Sequence, residues 1–212
     1  MSKTASRLAA AVLACLVSAG AGATVVASNT RYGQFDGSEG SRSFNVRHHG
    51  ALLDLNLIID LAKCDDPPLG SSGQACGGQG TPYEDEFSIS LVAPDGTSVD
   101  LVRAYDTYTA GNVGAGRVRL VFDDEAPTAA GPNLAAGSFR PAGALSAFDG
   151  MDVYGRWTLQ FQDFFPGDPL EFFSARLDVE TDPPAPVPEP ASLALLGAGL
   201  LGLRALRRPR QS

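Results

Sequence analysis

The chain has 212 residues, 16 of them basic and 24 acidic for a formal net charge of −8, with 24 glycines and 15 prolines. That length fits one domain with appendages, and so much glycine and proline argues against long helices. The acidic balance disfavours nucleic acid and anionic membrane surfaces as partners.

The N-terminus reads as an export signal over residues 1–23. Lys3 and Arg7 precede an apolar run from Leu8 to Val17, and Ala21-Gly22-Ala23 is a small-x-small cleavage site. The run is well short of the roughly 20 residues a spanning helix needs. Val12-Leu13-Ala14-Cys15 loosely resembles a lipobox, but the bulky Leu13 and the short apolar stretch before Cys15 favour ordinary secretion. Between Thr24 and Pro186 there are 10 basic and 23 acidic residues, a net of −13. With Cys15 in the signal, the exported chain keeps Cys64 and Cys76, an even pair inside a loop rich in Gly, Ser and Pro. An oxidising compartment favours a disulfide across that loop, and closing about 13 residues contributes roughly 3 kcal/mol in the chain-entropy account. A metal site is the weaker reading, because the pair lacks CxxC spacing and a nearby His.

The middle of the chain is written in period two. Leu53, Leu55, Leu57, Ile59 and Leu61 alternate with Asp54, Asn56, Ile58 and Asp60, which predicts a strand with one face inward. The pattern returns at Phe87, Ile89 and Leu91 and, after the turn Pro94-Asp95-Gly96-Thr97, at Val99 and Leu101. Val118, Leu120 and Phe122 continue it, then Trp157, Leu159 and Phe161, then Phe173, Ala175, Leu177 and Val179. No stretch from 30 to 182 has helical spacing. The expected fold is an all-β, antiparallel, jelly-roll-like β-sandwich over residues 24–182, flanked by the signal peptide and a short C-terminal hydrophobic helix.

Five ordered segments resemble the P domain of proprotein convertases and their bacterial relatives. They are Ala93 to Leu101, Val121 to Ala126, Phe139-Arg140-Pro141, Leu145 to Gly150, and Gly155 to Leu159 with Asp163. The similarity spans residues 44 to 181 and implies a jelly-roll sandwich that stabilises or regulates a protease, or that acts as a bare binding module. The subtilisin-like domain that normally precedes it exceeds this whole chain. The cysteine-bearing insert departs from the family pattern, so the loops at that end are expected to serve something else.

Little in the sequence points to catalysis, and the expectation is a non-enzyme. There is no G-x-S-x-G elbow. His48 and His49 are adjacent, so in an extended strand they point to opposite faces. Gly111 to Gly116 has nucleotide-loop spacing but lacks the following Lys-Ser/Thr and helix, and reads as a connection. Trp157 reads as core. The carboxylates stand out: Asp123-Asp124-Glu125, Asp149, Asp152, Asp163 and Asp168 fall at strand ends or in loops. Ca²⁺ is held by about 6–8 oxygens, and relatives of the P domain often carry structural calcium. Asp123, Asp124 and Asp163 are the candidate ligands, weighed against Asp as a turn former.

The C-terminus carries the sharpest signal. Residues 183–187 are a stiff proline-rich linker, followed by Pro188, Glu189 and Pro190, an apolar run Ala191 to Leu203, and Arg204, Arg207, Arg208 and Arg210. Thirteen residues make about 20 Å of helix, short of a 30 Å hydrocarbon core, and the arginines are expected to stay cytoplasmic. Residues 188–212 are similar to the PEP-CTERM sorting signal of Gram-negative bacteria, with a plain membrane anchor as the alternative. The resemblance implies an exosortase as processing partner, transient membrane association through the tail, and delivery to the cell surface or exopolysaccharide matrix. Three functions follow as expectations: a structural or binding module for exopolysaccharide or a secreted protein, an accessory or inhibitory domain for a separate secreted protease, and a hydrolase built on loop carboxylates.

Overall fold

The period-two segments become the strands of two facing sheets. The computed structural model describes residues 23–63, 65, 81–111, 114 and 116–182. The strands are β1 (Ala23–Asn29), β2 (Gly33–Phe35), β3 (Glu39–Val46), β4 (Leu52–Lys63), β5 (Phe87–Val92), β6 (Ser98–Val102), β7 (Gly116–Phe122), β8 (Gly137–Phe139), β9 (Gly155–Asp163) and β10 (Leu170–Thr181). A short 3₁₀ turn covers Leu145–Phe148. One sheet runs β1-β10-β4-β7-β8, with β2 also on β10, and the other runs β3-β9-β5-β6. Pairing is antiparallel except at β8, which lies parallel to β7 because the chain loops from Phe122 back to Gly137 before pairing.

The apolar sets of both sheets meet in one core. Leu57, Ile59, Leu61, Leu120 and Phe122 come from one sheet, and Phe87, Leu91, Leu101, Trp157 and Leu159 from the other. Trp157 is fully buried, donates Nε1–H to the Val153 carbonyl at 3.0 Å, and meets the edge of Phe148 at 5.1 Å. The predicted hairpin turn forms at Pro94 to Thr97. Asp95 accepts the Thr97 N–H at 2.8 Å, and Gly96 takes the φ of 92° that the turn requires.

Two positions correct the simple alternation. Leu52 is buried and Leu53 is 47 % exposed, because a register shift opposite Glu180 and Thr181 flips the first residues of β4. On β10 a second shift lies between Phe172 and Ser174, so Phe172 enters the core. Phe173 turns to the other side, where it packs on Tyr32 and Ala62 and carries the Arg117 guanidinium 4.2 Å above its ring. A bulge adds one residue to one strand, and with a side-chain period of two that reverses the faces beyond it.

β1 and β2 form one interrupted edge along β10, pairing Ala23 with Thr181 and Phe35 with Leu170. Arg42 fills the interruption. Its guanidinium donates to the carbonyls of Arg31 at 2.6 Å and Tyr32 at 2.8 Å, and it lies over the Phe35 and Phe172 rings. A Cβ at Gly33 would push that guanidinium out of its place.

The signal peptide (except Ala23), Cys64 and Cys76, the linker 183–187 and the sorting segment 188–212 with its expected helix lie outside the described residues. Among the described residues no helix is long and apolar enough to cross a membrane. The two ends of the cysteine-bearing insert are held together, as Asp65 accepts the Thr81 N–H at 3.1 Å.

Candidate functional site

The strand register gives the sandwich two poles. At one pole Ala23, Leu52 and Thr181 lie side by side, and the chain leaves β10 toward its C-terminus. At the other, Lys63 pairs with Leu170 and Gly116. Eleven steps along β4 separate them, on the order of 35 Å.

Lys63 organises the far pole. Its side chain is fully buried, and Nζ donates to Glu86 at 2.7 Å, to Asp163 at 2.8 Å and to the Asp168 carbonyl. These partners join β4 of one sheet to the ends of β5 and β9 of the other. Asp163 also accepts the backbone N–H groups of Leu170 at 3.1 Å and Phe165 at 3.3 Å. Burial pushes the Glu86 and Asp163 carboxyls above the usual carboxylate range, and the Lys63 ammonium pulls both back.

Three loops cover this ionic floor, each pinned by its own hydrogen bonds. Asp168 accepts the Tyr83 N–H at 3.1 Å, Asp85 O accepts the Tyr105 N–H at 2.6 Å, Glu86 O accepts the Phe164 N–H at 3.0 Å, and Asp36 accepts the Gly167 N–H at 2.7 Å. Tyr105 sits at φ 59°, a left-handed conformation that costs a non-glycine residue roughly 1–2 kcal/mol. The loops leave an open cleft of about 670 Å³ lined by Tyr83, Asp85, Glu86, Tyr105, Phe165, Pro166, Gly167 and Asp168. Among the described residues six large hydrophobic side chains are exposed, and four of them, Tyr83, Tyr105, Phe164 and Phe165, gather here. The Tyr105 and Phe164 rings lie 6.0 Å apart. Clustered exposed rings mark a contact surface far better than scattered ones.

A second depression of about 460 Å³ lies on the outer face of the four-stranded sheet, lined by Ser41, Ser88, Ser90, Gln160 and Gln162 with Glu39. It is polar throughout, except for the edge of Phe161.

The carboxylates expected to share a cation are not assembled into one site. Asp163 serves Lys63 at the far pole. Asp123 follows the end of β7 that pairs with Leu57, about 20 Å along the ladder. There Asp123 accepts the Glu125 N–H at 2.7 Å, and Asp124 accepts those of Leu145 and Ser146 at the start of the 3₁₀ turn. All three act on the chain's own N–H groups or on a lysine. Among the described residues no group of three or more His, Cys, Asp or Glu side chains is arranged to hold a metal ion.

The histidines point apart. His49 is exposed, stacks on Tyr154 at 4.0 Å and meets Asp152 at 2.7 Å, whereas His48 is half-buried. The Asp152 carboxyl is pulled down to about 2 by the His49 contact first, then by the N–H groups of Tyr154 and Gly50.

Sequence reading missed the aromatic cleft. Tyr83, Tyr105 and Phe165 follow no common spacing, and only strand order brings them together.

A two-sheet β-sandwich followed by an export-type tail defines the class: an exported β-protein. A family model for the PEP-CTERM protein-sorting motif matches residues 186–210. The chain therefore carries a PEP-CTERM sorting signal and is an exported protein processed by an exosortase. The resemblance of residues 44 to 181 to convertase P domains rests on the five ordered segments alone. No curated protein matches the chain. Among solved structures it is similar to a chain of the Aeromonas sobria serine protease–chaperone complex at 12 % identity and TM-score 0.38, covering 76 % of this chain and 28 % of that one. The serine protease of Aeromonas sobria gives 12 % and 0.38, covering 75 % and 27 %. Dimeric latent PorU from Porphyromonas gingivalis gives 12 % and 0.34, covering 76 % and 13 %. The chain spans less than a third of the length of each.

Proposed function

We propose that the protein is a non-enzymatic binding module of the cell surface or exopolymer of a Gram-negative bacterium, held by its tail pole and working through the opposite pole. The observation that carries this reading is the gathering of four exposed aromatic rings about 35 Å from Thr181, where the tail departs. A module tethered at Thr181 turns that cleft away from its attachment. The net of −13 between Thr24 and Pro186 keeps the domain clear of anionic membrane lipid once the basic tail is gone. The reading is tested by immobilising the protein through residue 182 and passing the producer's own extracellular polymer over it. Retention of polysaccharide by the wild type and its loss in Tyr83→Ala with Phe165→Ser supports the module. Equal retention by both would move function elsewhere on the surface. The segments resembling a P domain favour one further reading, docking on a separate secreted protease, and recovery of a protease in the same capture supports that instead.

A further inference from the structure

We propose that the cleft at the far pole takes an amine-bearing polysaccharide, whose sugar faces stack on Tyr83, Tyr105 and Phe165 while an ammonium group pairs with Asp85 beside them. This deepens the binding-module reading and rests on it for the extracellular setting. Of the three acidic residues in the lining, Asp85 is half-exposed beside the rings, while Glu86 and Asp168 are buried beneath it, accepting from Lys63 and from the Tyr83 N–H, and no described lining residue is basic. Lys63 beneath the floor is fully buried and committed to Glu86, Asp163 and the Asp168 carbonyl, so it does not face the cleft. A neutral polymer covering this lining would strip water from Asp85 and return no charge. An acidic polymer would be repelled. An ammonium group answers both carboxylate and aromatic face, since a cation over a tyrosine ring is attracted by its quadrupole.

The shape of the site favours sugar over a basic peptide. Its walls are loops whose N–H groups are already used: those of Tyr83, Tyr105, Phe164 and Gly167 bond to Asp168, Asp85, Glu86 and Asp36. Those four N–H groups are therefore not available to pair with a peptide strand. What remains exposed is the ring faces of Tyr83, Tyr105 and Phe165 and the half-exposed Asp85, and an open cleft of about 670 Å³ is larger than one ammonium group needs.

Titration calorimetry of the exported protein at mildly acid pH tests this with three probes: a fully deacetylated glucosamine hexamer, its N-acetylated counterpart and hexalysine. The glucosamine hexamer is expected to bind, with the acetylated hexamer and hexalysine each about tenfold weaker or worse. Asp85→Asn and Tyr105→Gly should each weaken binding about tenfold. Glycine suits the φ of 59° at residue 105, so that variant keeps its fold, which its melting temperature checks. Gln160→Ala, in the polar depression of the other sheet, should change nothing. No binding of the glucosamine hexamer, binding indifferent to the cleft variants, or tighter binding of hexalysine would overturn the proposal. Protease accessibility of the protein on intact producer cells separates the two readings. Surface display without glucosamine binding sinks the ligand alone, and binding by a protein retained inside the cell sinks the display.

Discussion

At the scale of single residues, two charged side chains define what is tested. Asp152 is exposed, yet His49 and two backbone N–H groups hold its carboxyl at about 2. A folded value below the unfolded one of about 3.9 means the ionised form favours folding. That contribution is complete above the unfolded value and disappears as pH falls through about 2. Carbon-detected NMR titration should place the Asp152 midpoint near 2, and His49→Ala should move it upward while leaving the part owed to Gly50 and Tyr154. An unmoved midpoint would mean that the side-chain contact is absent in solution. Lys63 is the opposite case, buried and paired twice. Lys63→Met leaves Glu86 and Asp163 without their cation, and the expected loss is about 3–5 kcal/mol in urea unfolding. Both carboxyls are already pushed up by burial. A folded value above the unfolded one makes stability fall as pH rises between the two, and losing the lysine widens that window. The deficit of the variant should therefore be smaller near pH 4 than near pH 7. Adding Glu86→Gln and Asp163→Asn should recover part of the stability at pH 7.

At the scale of elements, β10 shows where a strand departs from its written pattern. Alternation through Ala175, Leu177 and Val179 extends naturally to Phe173, but the shift after Phe172 sends Phe172 inward and Phe173 out. Phe172→Ala should cost about 3–5 kcal/mol as a core cavity. Phe173→Ala removes a ring that packs on Tyr32, Ala62 and Arg117 outside the main core and should cost less; the reverse order in urea unfolding would place the shift elsewhere. The long β4–β5 insert poses a covalent question. Its ends are tied by Asp65 and Thr81, and the expectation from an oxidising compartment is a Cys64–Cys76 disulfide. Alkylation without reductant should add no mass to the exported protein, whereas two modified cysteines in folded material would show the loop open. Cys64→Ser with Cys76→Ser should lower stability by roughly 3 kcal/mol.

At the scale of the molecule, both described ends of the chain lie at one pole of the sandwich and the aromatic cleft at the other. β1 starts at Ala23 beside Thr181, so the segments leading to the export signal and to the sorting tail leave from the same pole. Pro190 disfavours helical backbone at Glu189, and that sequence feature is the ground for expecting cleavage near Pro188-Glu189-Pro190. Mass spectrometry of the mature protein should find its C-terminus at or just after residue 187. Glu189→Ala should leave the chain uncut in the membrane fraction. Intact Arg204–Ser212 in surface-exposed protein would favour a plain anchor.

The sequence by itself determined the addresses and the presence of most strands. Export and sorting signals are local patterns of charge, apolar length and proline, readable without a fold, and period two marks a half-buried strand wherever it stands. β1, β2, β3 and β8 escaped that reading because they are edge or three-residue strands with little alternation. Tertiary structure alone decided the rest. Tyr83, Tyr105 and Phe165 come from three loops and meet only because β5, β6 and β9 share a sheet. The fold alone brings Asp163 against Lys63, a hundred residues earlier. Register shifts decided which of Leu52 and Leu53, and which of Phe172 and Phe173, faces inward. Those choices depend on the partner strand, and no stretch of chain contains its own partner.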